Sequence, residues 1–139
     1  MTIENTAGDL TGVSQNGGVD LQGINGYVTA RTANGSIDIA DCAGVDGAES
    51  SNGSVDVEIP RIRDETTIRT GNGSIDAELG SELDADLTAS TSIGSIDVED
   101  LSLADSSVSN RRVTGRLGDG GTSLKIRTSN GSIDLTALV

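Results

Sequence analysis

The sequence is poorest in the residue types on which catalytic sites and compact cores usually depend. It has no histidine, tryptophan or phenylalanine, one tyrosine (Tyr27), one cysteine (Cys42) and one proline among 139 residues. Without histidine, the commonest general base and metal ligand is missing, which excludes Ser–His and Cys–His nucleophilic arrangements. A single cysteine excludes an intrachain disulfide. The near-absence of aromatic residues leaves Ile, Val, Leu and Ala for the core, which suits a thin, layered interior.

Positive charge is also scarce, with 9 basic against 22 acidic residues and a net charge of −13. Because phosphate contacts need clustered Lys and Arg, we expect no nucleic-acid partner. No apolar run is long enough to span a bilayer and no signal peptide is evident. We therefore expect no direct membrane insertion and a cytoplasmic location as written, or an extracellular one if a leader was removed. The acidic, lysine-poor composition is typical of salt-loving organisms, since a Debye length of roughly 3 Å at molar salt screens dense carboxylates.

The chain does contain a repeat of the form Asn-Gly-Ser-Ile-Asp. Exact and looser copies begin at Asn16, Asn34, Asn52, Asn72, Ile93 and Asn130. The steps between the aspartates of successive copies are 18, 18, 20, 21 and 37 residues, as if one copy had decayed within the last step. A fixed period near 20 residues indicates one supersecondary unit stacked on itself.

Within each copy the residues alternate as in a β-strand. The positions three and five residues after the Asn are aliphatic, such as Ile37 and Ile39, and share one face. The aspartate between them is expected to point outward, and a hydroxyl-bearing residue comes two positions before the Asn in every copy. The outward aspartates are Asp20, Asp38, Asp56, Asp76, Asp97 and Asp134.

Two architectures fit this pattern. Asn-Gly can close antiparallel hairpins through type I′ turns, which would give a β-meander or sandwich. The near-constant period favours instead an all-β, single-domain, right-handed parallel β-solenoid over residues 1–139, with coils of about 18–21 residues. Stacked coils place equivalent residues about 4.8 Å apart, so buried Asn amides and hydroxyls could form ladders. The predicted ladder residues are Asn16, Asn34, Asn52, Asn72, Asn130, Thr32, Thr70, Thr91 and Thr128.

Two segments depart from the repeat, and both ends of a solenoid need covering. Residues 60–65 lengthen one return, and residues 104–121 should hold the decayed copy near Gly115 as an irregular loop or partial turn. Residues 1–11 and 135–139 are the candidate caps. Because the C-terminal coil ends in apolar residues, we expect it to be an open surface to which another chain can add.

Carboxylates are the remaining candidates for chemistry. Glycosidases need two carboxyl groups at a defined separation, whereas an aspartate in every copy describes a surface, so we predict no enzyme activity and no catalytic residue. Neighbouring carboxylates in such a column repel one another. Salt, a loosely bound Ca²⁺ at the six aspartates, or the partner charges of Arg31, Arg69 and Arg127 would relieve this repulsion. We expect no other cofactor.

The repeated pattern Thr-x-Asn-Gly-Ser-Ile-Asp-Leu resembles the β-strand-repeat family of bacteria and archaea known as the putative-adhesin family, whose function is unknown. Residues 115–133 resemble the C-terminal end of that family, and the acidic composition is similar to that of its haloarchaeal members. The resemblance implies a β-solenoid without catalytic residues. A looser similarity to polymer-forming β-helix proteins of the bactofilin type implies end-to-end association.

These observations predict a non-enzymatic structural or interaction module that associates with itself through its coil ends, as a scaffold or filament. One alternative is a surface adhesin-like domain whose outward Asp and Arg columns contact a partner or cations. The other is a polysaccharide-cleaving enzyme.

Overall fold

The structure, a computed structural model, describes residues 2–59, 65–80, 84–99, 104–109, 111–117 and 121–138. All regular secondary structure in these residues is β-strand, and the strands form one continuous sheet of thirteen. The strands are β1 (Thr2–Ala7), β2 (Leu10–Asn16), β3 (Val19–Asn34), β4 (Ile37–Asn52), β5 (Val55–Ile59), β6 (Thr66–Asn72), β7 (Ile75–Gly80), β8 (Ala85–Ile93), β9 (Ile96–Glu99), β10 (Ala104–Val108), β11 (Arg112–Leu117), β12 (Thr122–Asn130) and β13 (Ile133–Leu138).

The strands stack as coils in parallel register, which confirms the predicted β-solenoid and is incompatible with a meander. β3 and β4, for example, pair in parallel from Val19 and Ile37 to Asn34 and Asn52. The aliphatic residues of each repeat face inward, and Ile37 is fully buried. Each coil thereby removes its apolar side chains from water by packing on the coils above and below. Such burial stabilises the fold by about 25 cal/mol per Å² of apolar surface.

The Asn-Gly corners need glycine for two physical reasons. Gly35 and Gly53 have φ angles of 149° and 142°, which side chains rarely tolerate. A Cβ atom at Gly53 would also collide with the carbonyl oxygen of Gly35 in the preceding coil, and one at Gly35 with that of Gly17. The corner can therefore turn and stack at strand spacing only because it carries no side chain.

The last two strands lie inside the stack and not at its end. β12 lies between β6 and β8, and β13 lies between β7 and β9, all in parallel. The prediction that residues 135–139 cap an end is therefore wrong, since Leu135 and Thr136 have partners on both sides; Val139 lies outside the described residues. The expectation of self-association through an open C-terminal coil loses its basis for the same reason.

The strands β10 and β11 form an antiparallel hairpin where a decayed repeat was expected, while residues 110 and 118–120 of that segment lie outside those described. β10 pairs with β11, and β11 runs antiparallel to β8 from Arg112 opposite Ser90 to Leu117 opposite Ala85. Val113 and Leu117 are buried, so the hairpin covers the edge of β8. The prediction of a loop or partial turn near Gly115 is wrong, because Gly115 pairs with Leu87 in a regular ladder.

At the opposite end, β1 and β2 form the terminal coil. Within the described part of the chain both pair with β3 alone, so their outer edge is open. This coil contains residues 2–11, the other predicted cap. The lengthened return at residues 60–65 cannot be compared in the same way, since residues 60–64 lie outside those described.

Candidate interaction surfaces

The six predicted aspartates form one straight column, called here the acidic column. Parallel pairing brings them into direct register on neighbouring strands. Their order along the stack is Asp20, Asp38, Asp56, Asp76, Asp134 and Asp97. Because parallel strands lie about 4.8 Å apart, each carboxylate has a like charge on either side, an arrangement that destabilises a sheet unless something neutralises it.

Proton sharing within the column supplies part of that neutralisation. Most of the column lines a groove of about 520 Å³, together with Glu58 and Glu78. Desolvation, followed by hydrogen bonds with Asp76 and Asp38 and then their negative charge, raises the pKa of Asp56 to about 7. A protonated Asp56 donates a hydrogen bond to a flanking carboxylate, so the centre of the column holds a proton near neutral pH.

The column does not gather its carboxylates around a point. Among the described residues, no three Asp, Glu or Cys side chains converge closely enough to hold a metal ion. Ca²⁺ binding by the six aspartates therefore stays a prediction. Burial raises the pKa of the Cys42 thiol to about 11, so this side chain is a protonated thiol at neutral pH and a poor nucleophile.

On the other side of the Asn corner lies a second column, called here the arginine column. Its register begins at Val13 and runs through Arg31, Glu49, Arg69 and Arg127 to Ser90, which has Arg112 of β11 on its other side. Arg31 Nη2 lies 3.1 Å from Glu49 Oε2. On the same face, Lys125 Nζ lies 3.1 Å from Glu65 Oε1, and Arg116 Nε lies 3.6 Å from Asp86 Oδ1. Both signs of charge occur on this face, unlike in the acidic column.

The Asn side chains join into one continuous amide ladder between the two columns. The Nδ2 groups of Asn34, Asn52, Asn72 and Asn130 donate to the Oδ1 atoms of Asn16, Asn34, Asn52 and Asn72 over 3.2, 3.0, 2.8 and 2.8 Å. All five predicted Asn residues take part, but they are exposed, whereas the sequence analysis expected buried amides. Ile93 occupies the sixth position and is 67% exposed.

The predicted hydroxyl residues are buried but do not bond to one another. Each hydroxyl instead donates to the corner-glycine carbonyl of a neighbouring coil, at 2.9 to 3.0 Å. The donor and acceptor pairs are Thr32 and Gly17, Ser50 and Gly35, Thr70 and Gly53, Thr128 and Gly73, and Thr91 and Gly131. The hydroxyl column therefore fastens each corner to the next coil.

The sequence analysis did not predict that Arg69 and Arg127 are neighbours in the sheet. The two residues are 58 positions apart in sequence, yet they are direct neighbours in the sheet because β12 pairs with β6. Their identical position relative to the following Asn is the signal that places both in one column. Nothing in the repeat itself says that the last copy lies next to the copy at Asn72.

Comparison with known proteins agrees with this architecture. A family model described as Toastrack DUF4097 matches residues 2–136. The structure is similar to that of a protein from Clostridium sporogenes described as a "putative cell adhesion protein", with a TM-score of 0.61 and 12% sequence identity, over 99% of this chain and 97% of that one. At this identity the likeness shows the fold alone. No curated protein matches the sequence. Within the described residues, no helix is long and apolar enough to cross a membrane.

Proposed function

The chain belongs to the Toastrack DUF4097 family, and from this premise we propose that it is a non-enzymatic interaction module that contacts a partner through its acidic and arginine columns. This is the adhesin-like function that the sequence analysis gave as an alternative. The geometry favours it over end-to-end assembly, because the C-terminal strands lie inside the stack and the hairpin β10–β11 covers the edge of β8.

The observation that carries the proposal is the regular presentation of charge on the outer surface of a single sheet. Six aspartates stand in register on one side of the Asn ladder, and acidic and basic side chains stand together on the other, where Arg69 and Arg127 are direct neighbours. An evenly spaced array of charges can contact an extended partner at several points at once, and such contacts raise the overall affinity even where each one is weak.

The same regularity supports the absence of catalysis. A catalytic pair needs two carboxyl groups with different environments at one place, whereas the acidic column repeats one environment along a line. The sequence also lacks histidine, and the Cys42 thiol has a raised pKa. The proposal therefore assigns no general base and no activated nucleophile.

Self-association is a second candidate, now at the N-terminal coil. The outer edges of β1 and β2 meet no strand within the described residues, and an open parallel edge can pair with another chain. Light scattering over a range of protein concentrations tests this candidate. A concentration-dependent dimer that is lost when Pro replaces Ser14, whose N–H points away from β3, supports it. A strict monomer at the highest concentration contradicts it.

We further propose that the acidic composition is an adaptation to high salt. Screening shortens the range over which the aspartates of the acidic column repel one another. A cytoplasmic location stays a prediction of the sequence, which cell fractionation would test.

The interaction proposal is tested with immobilised polymers of four kinds: cationic, carboxylated, sulfated and neutral. We expect retention on at least one charged polymer, weakening with added salt, no retention on the neutral one, and no change in polymer length after incubation. Asp38→Asn/Asp76→Asn should weaken retention on the cationic polymer. Failure to bind any charged polymer would contradict the proposal, and shortening of a polymer would show that the protein is an enzyme.

A further inference from the structure

Two arginines occupy neighbouring positions in the arginine column, with no acidic residue between them. Arg69 on β6 and Arg127 on β12 are direct partners in the parallel ladder, so their backbones are about one strand spacing apart. Both side chains are exposed. Like charges at directly opposite positions of a sheet destabilise it, so this pair needs a counter-charge from outside the chain or from a neighbouring acid.

The neighbouring acids are already engaged. Glu49, next to Arg69 in the column, pairs with Arg31, and Glu65 pairs with Lys125. On the adjoining strand β8, Asp86 pairs with Arg116. Over the part of the chain that the structure describes, neither Arg69 nor Arg127 forms an ion pair. The cations of the three pairs, by contrast, are Arg31, Lys125 and Arg116.

A small pocket lies where the two arginines meet the hydroxyls of β8 and β12. Its volume is about 110 Å³, and Arg69, Arg127, Ser90, Ser92 and Ser129 contribute to its lining. This space is large enough for one small oxyanion group. The lining side chains on the outer face are all hydrogen-bond donors, and none is a carboxylate.

We propose that the Arg69–Arg127 pocket binds a single oxyanion group (sulfate, phosphate or carboxylate) carried by the partner. The inference rests on the proposed function and assigns a binding position within it. Guanidinium groups match oxyanions in a forked, two-bond geometry, and the serine hydroxyls supply neutral donors at the side. A bound oxyanion also removes the like-charge repulsion between the two arginines, so binding and local sheet stability reinforce each other.

The test is a titration of the full chain with sodium sulfate, sodium phosphate and sodium acetate, each replacing sodium chloride at constant ionic strength. Binding is followed by the NMR amide shifts of residues 69, 90, 127 and 129. We expect saturable shifts with wild type and about tenfold weaker binding for Arg69→Gln and for Arg127→Gln, a loss equivalent to one charge-assisted contact. The double variant should show no saturable shift. The anion that binds most tightly identifies the chemistry of the group.

Arg116→Gln is the matched control, because Arg116 lies on the same face but is paired with Asp86, four residues away from Ser90 along β8. It should bind the anions within about twofold of wild type, since it removes the same amount of charge from the face without touching the pocket. Ser90→Ala/Ser129→Ala removes two donors and no charge, and it should weaken binding about threefold. This variant keeps the test valid if an arginine variant folds poorly.

The inference is overturned if the double arginine variant binds sulfate and phosphate as wild type does, or if Arg116→Gln loses as much affinity as Arg127→Gln. Either result leaves the interaction module itself intact. Conversely, a wild-type protein that binds no charged polymer defeats the proposed function, while the anion titration still decides whether the pocket is a binding site.

Discussion

The acidic column and the arginine column lie on either side of one Asn ladder, yet they handle neighbouring charge in opposite ways. In the acidic column every position carries Asp, and the central Asp56 retains a proton near neutral pH. In the arginine column Glu49 interrupts the cations and pairs with Arg31, and only Arg69 and Arg127 lie side by side. Both columns have the same strand spacing, so the difference comes from the side chains alone.

The comparison teaches that stacking identical repeats brings like charges next to one another, as well as like apolar side chains. Identical residues in register are favourable for amides and aliphatic side chains, because each satisfies its neighbour. The same register is unfavourable for ionised groups, which must share protons, alternate in sign or recruit ions. The two columns show the first two of these solutions in one sheet.

The largest effect should come from the corner that joins both columns. Gly53→Ala adds a Cβ at φ 142° that collides with the Gly35 carbonyl, and we expect a loss of about 3 kcal/mol or more in the free energy of unfolding. Gly17→Ala is the matched control, with φ 121° and no atom near the added Cβ, and should cost about 1 kcal/mol. Urea denaturation of both variants measures the difference. Equal losses would show that the close approach between corners is unimportant.

A smaller effect should come from the buried hydroxyls that donate to the corner carbonyls. Thr70→Val removes the hydroxyl that donates to the Gly53 carbonyl at 2.9 Å, and we expect a loss of about 1–2 kcal/mol in stability. Thr29→Val changes a half-buried residue of the same strand type and should stay within about 0.5 kcal/mol of wild type. If both variants unfold at the same urea concentration, the hydroxyls do not fasten the corners.

Changing pH should affect the acidic column selectively. Because the pKa of Asp56 in the folded protein, about 7, is above its ordinary value of 3.8, the folded state binds the proton more tightly than the unfolded state. Its contribution is complete below about pH 4 and is lost as the pH rises through 7. We expect this loss to be on the order of 1 kcal/mol after allowance for solvent screening, and Asp56→Asn should flatten the dependence. Thermal unfolding between pH 4 and 8 checks both; a slope unchanged in Asp56→Asn contradicts proton sharing.

Added salt should relieve the repulsion along the acidic column. Raising sodium chloride from 0.1 to 1 M shortens the Debye length from about 10 to 3 Å, which weakens repulsion along the acidic column and should stabilise wild type. Asp56→Asn should gain less stability over the same range. Unfolding at each concentration gives the comparison, and an equal gain in both proteins would place the salt effect elsewhere.

The smallest effect should come from the exposed ion pair of the arginine column. Arg31→Gln breaks the contact with Glu49, and we expect a loss of about 0–0.5 kcal/mol because both side chains are largely in water. Chemical denaturation at low salt gives the most sensitive measurement. A loss above about 1 kcal/mol would mean that ion pairing stabilises this face more than surface pairs usually do.

The coil itself could be predicted from the sequence because it depends on local alternation. The spacing of Ile37, Asp38 and Ile39 fixes which side chains face inward, and the Asn period fixes which residues stack. The predicted burial of the Asn amides was wrong, since parity gives the face of a strand and says little about a corner, where the chain bulges into solvent. The sequence also could not identify the glycine carbonyls that accept from the hydroxyls, because their directions depend on φ angles between 121° and 149°.

The order of stacking could not be predicted, because equivalent repeats are interchangeable as neighbours. The copy at Asn130 has the same sequence signature as the copy at Asn72, and either would fit beside any other coil. Consequently the adjacency of Arg69 and Arg127, on which the candidate anion site depends, appears only in the folded structure. The long last step between aspartates signals a departure but does not distinguish an extra coil from the antiparallel hairpin.

The insertion of β12 and β13 also bears on how the protein is synthesised. Across the described residues, β8 and β9 hydrogen-bond to the earlier coils only by way of these two strands. While the nascent chain emerges from the ribosome, β1 to β7 can assemble in order, but β8 and β9 have nothing to dock against. Both β12 and β13 must therefore leave the ribosome before β8 and β9 can be joined to the earlier coils.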